Sequence, residues 1–231
     1  MPIKEYDAAV AEVITETPET KTFQFSMEHM DFRPGQFAML VVDIPGKGPV
    51  SRPYSISSSP LDGMLELTIK KFEGGLMSKY VNENLKKGDK VKIKGPYGMF
   101  MLNEQAKKIG FISAGSGIAP FRSMWRYVFQ KHMSIDMTLL FSSKTEEYII
   151  FRKELDEIKG MKVVHTLTRN QDPSWKGFAR RVDGEMIKAV FPDYKERFFY
   201  LCGPPPMCHG AFDELKALSC SEQNIKMEKF D

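Results

Sequence analysis

The chain has 231 residues, 42% of them hydrophobic, 12% aromatic and 27% charged; that is room for one large domain or two compact ones with buried cores and excludes a disordered chain or a disulfide-stapled miniprotein. Its 33 basic and 30 acidic side chains leave a net charge of +3, too small and too dispersed to demand nucleic acid, although the mild excess suits anionic small ligands. The cysteines, Cys202, Cys208 and Cys220, provide neither a disulfide framework nor four ligands for zinc or an iron–sulfur cluster, so no metal is expected and a reducing, cytoplasmic setting fits best.

From the N-terminus, Met1 to Ala11 carries Lys4, Glu5 and Asp7 where a signal peptide needs an apolar stretch. No segment approaches the roughly 18 apolar residues of a membrane helix, so neither export nor membrane insertion is expected. Residues 1–102 read as strands: Phe23/Phe25, Leu65/Leu67/Ile69 and Val91/Ile93 alternate with polar neighbours such as Glu66, Thr68, Lys90 and Lys92. Turn chemistry separates them at Arg33-Pro34-Gly35, Pro45-Gly46-Lys47-Gly48-Pro49, Leu61-Asp62-Gly63 and Lys87-Gly88-Asp89. Short strands at this spacing predict a small antiparallel β-barrel.

Two segments of this barrel carry chemistry. Arg52-Pro53-Tyr54-Ser55 brings a cation, an aromatic face and a hydroxyl into one extended run. Arg52 and Tyr54 project to the same side, where one anionic, ring-bearing ligand such as a flavin nucleotide touches both. Gly74-Gly75-Leu76-Met77-Ser78 opens a helix in which Leu76, Tyr80, Val81 and Leu85 recur at helical spacing and Gly88 closes the segment. Its first-turn amides suit a phosphate, with Ser78 as an added donor. Taken singly, each also reads as a surface ion pair, a core tyrosine or a helix cap.

After a junction near Phe100–Glu104 the rhythm becomes alternating strand and helix, which defines a second domain over residues 103–231. Strands are predicted at Ile109–Ser113, Met137–Phe141, Val163–Leu167, Phe198–Cys202 and Ile225–Met227. Helices are predicted at Pro120–Lys131, Ile150–Ile158, Gly184–Val190 and Pro206–Leu218. The pattern is that of an α/β doubly wound parallel sheet with ligands beyond the strand C-terminal ends. The first strand runs into Ala114-Gly115-Ser116-Gly117-Ile118-Ala119-Pro120, where glycine admits close backbone approach and the following helix start favours a pyrophosphate. Pro120 stands where the usual dinucleotide fingerprint has its third glycine, and proline suits a first helical turn. Taken alone, this is equally a strand–helix turn without a ligand.

Lys144 and Arg169 follow the second and third strands and are candidates for a ribose 2′-phosphate, Arg169 the better one, with solvated surface charge as the other reading. Tyr200-Leu201-Cys202-Gly203-Pro204-Pro205-Pro206 ends the fourth strand in a second turn that sheet geometry brings beside the first. Cys202 alone also reads as a buried structural thiol, and Cys208 and Cys220 are read that way.

In this order and separation the segments resemble the ferredoxin–NADP reductase superfamily, through Arg52-Pro53-Tyr54-Ser55, Gly74-Gly75-Leu76-Met77-Ser78, Gly95-Pro96-Tyr97-Gly98, Gly115-Ser116-Gly117-Ile118-Ala119-Pro120, Cys202-Gly203-Pro204 and Glu228-Lys229-Phe230. The resemblance implies an FAD-binding antiparallel barrel followed by a nicotinamide-nucleotide domain, with the flavin ring at their junction. It implies that Arg52 binds flavin phosphate, that Tyr54 packs on the isoalloxazine, that Ser55 hydrogen-bonds near its reactive nitrogen, and that Gly75, Leu76, Met77 and Ser78 hold the pyrophosphate. Gly115, Ser116, Gly117 and Pro120 would cradle NADPH or NADH, and Cys202 and Gly203 would position the nicotinamide. Phe230 would cover the second flavin face and Glu228 would sit near the hydride path. Plant-type members end in tyrosine, whereas this sequence ends in Asp231, so it is more similar to the flavoprotein parts of multicomponent oxygenase reductases and of flavohaemoglobins. No iron–sulfur or haem segment accompanies these motifs, so a ferredoxin-like or oxygenase component is expected as a separate one-electron acceptor. The competing expectations are an NAD(P)H reductase of free flavin or quinone, and a flavin-binding electron-transfer subunit of a larger complex.

Overall fold

In a computed structural model, which describes residues 3–230, the chain divides into two compact units: Met1–Leu102 with Ala119–His132, and Asn103–Ile118 with Met133–Asp231. Met1 and Asp231, both used in the sequence argument, lie outside the described residues.

The first unit holds a six-stranded antiparallel sheet. Its strands are β1 (Lys4–Thr17), β2 (Thr20–Met27), β3 (Phe37–Ile44), β4 (Gly48–Ser55), β5 (Leu65–Lys70) and β6 (Lys90–Tyr97), in the order β4-β3-β6-β1-β2-β5. Helix α1 (Leu76–Asn84) lies between β5 and β6. β1 pairs with β6 through its first half and with β2 through its second, and its register shifts between Val10 and Glu12. A bulge of this kind bends and twists a strand, which lets the sheet curl. The two edge strands meet where Ile56 bridges Leu67 and the Ser57 amide donates to the Glu66 carbonyl at 2.9 Å. The barrel is filled by Phe23, Phe25, Leu40, Ile56, Leu67 and Ile93, all fully buried, from alternate positions of facing strands.

The second unit is a five-stranded parallel sheet of β7 (Lys108–Ala114), β8 (Asp136–Ser143), β9 (Met161–Leu167), β10 (Phe198–Gly203) and β11 (Ile225–Lys229), in the order β11-β10-β7-β8-β9. Strand β7 leads into α2 (Ala119–Gln130), β8 into α3 (Arg152–Glu157), β9 into α4 (Gly184–Val190) and β10 into α5 (Pro205–Ala217). The expected two-domain fold is present: an antiparallel barrel and a parallel α/β sheet. Helix α3 is shorter than the predicted Ile150–Ile158, because Phe151 takes a left-handed conformation (φ 59°) and the helix starts only after it. Met186, Ile187, Val190, Ala211 and Leu215 of α4 and α5 pack with Ile112, Leu140, Phe199 and Leu201 of the sheet into one buried cluster. Since β8 and β9 extend from β7 to one side and β10 and β11 to the other, the strand order reverses between β7 and β10. The C-terminal ends of that pair are where an open α/β sheet accepts a ligand. Among the described residues no helix is long and apolar enough to cross a membrane.

Candidate functional site

In the barrel unit, Arg52, Pro53, Tyr54 and Ser55 end β4. Arg52 is exposed and its guanidinium donates to the Ser51 carbonyl at 2.8 Å. Tyr54, two residues on and on the same face, is partly buried against the barrel core. Burial pushes its phenol up to about 12, with the nearby Arg52 charge pulling the other way. Ser55 is buried and stands opposite Phe37 in the β3–β4 register. Phe37 in turn stacks on Tyr97, with ring centroids 5.5 Å apart. Polar, charged and aromatic groups therefore meet at one end of the barrel.

Gly74, in the left-handed region at φ 78°, turns the chain from β5 toward α1 at no steric cost. The first bond of the helix runs from the Lys79 amide to the Gly75 carbonyl at 3.0 Å, so the amides of Leu76, Met77 and Ser78 have no partner within it. These donors fit an anion. Ser78 differs from expectation in one respect: its hydroxyl donates to the Gly75 carbonyl at 3.3 Å and accepts from the Phe72 amide at 3.2 Å. It braces the turn rather than offering a spare hydrogen. Met77 faces the core, while Leu76 is 48% exposed at the rim.

In the second unit, Gly115–Ile118 forms a 3-10 turn between β7 and α2, with Gly115, Ser116 and Gly117 at the C-terminal end of the sheet. A Cβ on Gly117 would lie 2.2 Å from the Cys202 carbonyl oxygen and 2.6 Å from the Gly203 nitrogen. Glycine is therefore required here by the backbone of the other turn, and the two turns predicted separately are packed against each other. The Ser113 hydroxyl reinforces them by donating to the Cys202 carbonyl at 3.2 Å. Pro120 is buried in the first turn of α2.

β11 brings the tail to the same place. Glu228 pairs in register with Cys202 and Lys229 with Gly203, and the Phe230 amide donates to the Gly203 carbonyl at 3.0 Å. Glu228 Oε2 is buried with no hydrogen-bond partner, and burial pushes its carboxyl up to about 7. Cys202 is fully buried; burial first, then the Glu228 charge and Cys208, push its thiol well above the usual range. At neutral pH it is a thiol, not a thiolate.

Lys144 and Arg169 emerge side by side beyond β8 and β9, the Arg169 amide donating to the Lys144 carbonyl at 2.8 Å. The Lys144 ammonium lies 5.0 Å from the centre of the Tyr148 ring, whereas the Arg169 side chain is exposed.

Three contributors went unread in the sequence. The Cys208 thiol, taken as merely structural, approaches the carbonyls of both Gly203 and Glu228 at 3.5 Å. Arg122 and Arg126 of α2 carry ion pairs to Glu66 and Asp62; their four-residue spacing was visible, but their partners lie about sixty positions upstream. Among the described residues no group of three His, Cys, Asp or Glu side chains is placed to hold a metal. What the residues do fit is a pair of nucleotides: helix-start amides in the same unit as Arg52 and Tyr54, and in the other unit a glycine turn packed on Cys202, whose register partner Glu228 has a carboxylate oxygen left without a partner.

Comparison with known proteins agrees with that chemistry. The oxidoreductase FAD-binding domain family matches residues 7–102 and the oxidoreductase NAD-binding domain family matches residues 111–212. The chain is 34% identical over 204 residues to the glycine betaine monooxygenase reductase subunit of Pseudomonas aeruginosa, an alignment covering 84% of this chain and 56% of that subunit. It is 33% identical over 226 residues to the sulfhydrogenase 1 subunit gamma of Pyrococcus furiosus, covering 92% of this chain and 74% of the relative. The solved structure of the ferredoxin reductase in carbazole 1,9a-dioxygenase superposes with a TM-score of 0.88 at 25% identity, over 100% of this chain and 70% of that one. The chain thus spans little more than half the length of the first of these relatives.

Proposed function

The chain belongs to the ferredoxin–NADP reductase superfamily, and from that membership we propose that it is an FAD-dependent NAD(P)H oxidoreductase delivering electrons to a separate acceptor protein of the ferredoxin or oxygenase-component class. Bound FAD supplies the conversion of a two-electron donor into one-electron transfers. The protein's part is to bind, orient and exclude water. Arg52 and the amides of Leu76, Met77 and Ser78 hold the flavin's phosphates, with Gly75 shaping the turn while its own amide donates to the Phe72 carbonyl at 3.1 Å; Tyr54 offers its ring to the isoalloxazine, and Ser55 gives a hydroxyl near its reactive nitrogen. Gly115, Ser116 and Gly117 receive NADPH or NADH, with NADPH modestly preferred through Arg169. Cys202 and Gly203 seat the nicotinamide, Glu228 holds a proton beside them, and Phe230 supplies an aromatic cover. On this reading residues 1–102 are the FAD-binding domain and 103–231 the NAD(P)-binding domain, and the protein works in the cytoplasm.

The observation that carries the proposal is the packing of Gly117 onto the Cys202–Gly203 peptide with Glu228 opposite Cys202, two backbone turns brought together at the point where a parallel sheet reverses its strand order. Purified protein is expected to be yellow or to take up FAD. Anaerobic NADPH is then expected to bleach it, and a ferredoxin or oxygenase component to restore the colour. A colourless protein that binds no flavin would overturn the reading.

The likeness to the sulfhydrogenase gamma subunit favours a second reading, a flavin-binding electron-transfer subunit of a larger complex. The two readings separate on whether the isolated holoprotein, after reduction by NADPH, passes electrons to an added soluble acceptor.

A further inference from the structure

Helix α2 presents Arg122, Arg126 and Gln130 at intervals of four, one stripe along its length. Arg126 grips Asp62 with two parallel bonds, from Nε to Oδ2 at 3.0 Å and from a terminal nitrogen to Oδ1 at 3.0 Å. Gln130 adds a bond to Oδ1 at 2.7 Å and the Ser59 amide one to Oδ2 at 2.7 Å. Burial pushes the Asp62 carboxyl up, but Arg126 and the Ser59 amide outweigh it and hold the group below its usual range. One turn earlier Arg122 pairs with Glu66 and donates to the Ser57 carbonyl at 3.2 Å. Both side chains of that pair are only 11% exposed. Glu66 is braced from its other side by Gln24 at 2.8 Å. Ser57 and Glu66 are among the residues that close the barrel.

A pair this buried adds little net stability, because desolvation offsets most of its attraction. What it supplies is geometry. The neighbouring face of α2 buries Phe121, Met124, Trp125 and Val128, and apolar packing alone tolerates rotation or sliding of a helix. A bidentate fork and a buried ion pair one turn apart fix both. Residues 119–132 belong to the same compact unit as the barrel, while the glycine turn that ends at Ile118 belongs to the other. The chain passes from that turn into α2 with no linker.

Building on the function proposed above, we propose that Arg122, Arg126 and Gln130 with Glu66 and Asp62 are positioning residues for hydride transfer. They fix the helix that continues the nicotinamide-nucleotide turn onto the unit that holds the flavin, without touching either nucleotide.

The test uses the FAD-loaded protein and its Arg126→Gln, Arg122→Gln and Gln130→Ala variants. It follows bound FAD, melting temperature, Kd for NADPH and the limiting rate of anaerobic flavin reduction. Since misplacement by about 1 Å costs up to about a hundredfold in rate, Arg126→Gln is expected to lower the limiting rate roughly tenfold with bound FAD and Kd unchanged. Gln130→Ala removes one of the hydrogen bonds that Ser59, Arg126 and Gln130 make to Asp62. It is expected to give the same split between rate and Kd at a few-fold amplitude, and it carries the test should an arginine variant fold poorly. A limiting rate equal to wild type in the variants, or one that falls only in step with lost FAD or lost Kd, would overturn the positioning role. A wild-type protein that binds FAD but is reduced by neither nicotinamide would overturn the proposed function, and the positioning role with it.

Discussion

Glu228 stands directly opposite Cys202 in the parallel pair β10–β11, with one carboxylate oxygen buried and unpartnered. Burial pushes this carboxyl up from its ordinary 4.5 to about 7, so between those values the folded chain binds more protons than the unfolded one. Stability from this group is therefore full at low pH and is lost as pH rises through about 7. Glu228→Gln is expected to melt higher than wild type near about pH 8 and to match it near about pH 4, read from melting curves across the range. A wild-type advantage at the alkaline end would mean that the carboxylate has a partner in solution.

The packing of Gly117 on the Cys202–Gly203 peptide makes a paired prediction. A Cβ there meets backbone atoms at 2.2 Å, and backbone cannot swing aside as a side chain does. Gly117→Ala is expected to cost on the order of 1–3 kcal/mol in denaturant unfolding and to weaken nicotinamide-nucleotide binding. Gly210, exposed within α5, has nothing within 4 Å of its would-be Cβ. Gly210→Ala is expected to stabilise by about 0.5–1 kcal/mol through helix propensity. Equal effects at the two positions would remove the close-contact argument.

The second unit was legible almost element by element, because β7, β8 and β10 are buried apolar runs and β7 and β10 end in glycine turns. The barrel was legible in kind but not in detail. In β1, Tyr6, Ala8 and Val10 alternate toward the core, and then the bulge after Val10 flips the phase; a period of two cannot be followed through such a step. At the site, motif order placed Gly117 and Cys202 near each other, but the contact of their backbones is set by the packing of β7 against β10, which no local residue pattern encodes. The spare capacity assigned to Ser78 was misjudged for a local reason: a serine at the third helical position readily bonds back to the turn before it. Asp62 read simply as part of a turn, since nothing local marks it as the partner of a helix some sixty residues downstream.

Arg52 tests the flavin site independently of the nicotinamide site. Its side chain is exposed and bonds only to the neighbouring Ser51 carbonyl among the contacts seen, so Arg52→Ala is expected to change apoprotein stability by no more than about 0.5 kcal/mol. The same change is expected to let FAD escape on gel filtration, because a guanidinium bond to phosphate is worth about 1.5–3 kcal/mol. A variant that elutes fully loaded would contradict the phosphate role, and one that unfolds would show that Arg52 serves the barrel instead.

Cys202 is buried and neutral, and its peptide packs on Gly117, so in the proposed nicotinamide site its expected contribution is shape and polarisability rather than nucleophilic attack. Cys202→Ala is expected to slow flavin reduction while FAD stays bound. Thiol reagents are expected to leave the folded enzyme active, because the sulfur is both inaccessible and protonated. Rapid inactivation by such a reagent, absent in Cys202→Ala, would show that the site opens to solvent.

On the proposed function, selectivity between the two nicotinamides is expected to rest on the strand ends beyond β8 and β9. The Arg169 amide is bonded to the Lys144 carbonyl, so two cations project from adjacent positions, but they are not equivalent. The Lys144 ammonium is drawn over the Tyr148 ring, while Arg169 presents an exposed planar fork suited to two phosphate oxygens. Arg169→Ala is expected to lower kcat/KM for NADPH by about tenfold or more and to leave NADH nearly unchanged, since NADH has no 2′-phosphate to lose. Because the site is open to water, the NADPH advantage is also expected to shrink as salt is raised past about 0.1 M, where screening falls within about 10 Å. An unchanged ratio in Arg169→Ala, with the salt effect intact, would shift the phosphate contact to Lys144; an unchanged ratio with no salt effect would mean that neither cation reads the phosphate.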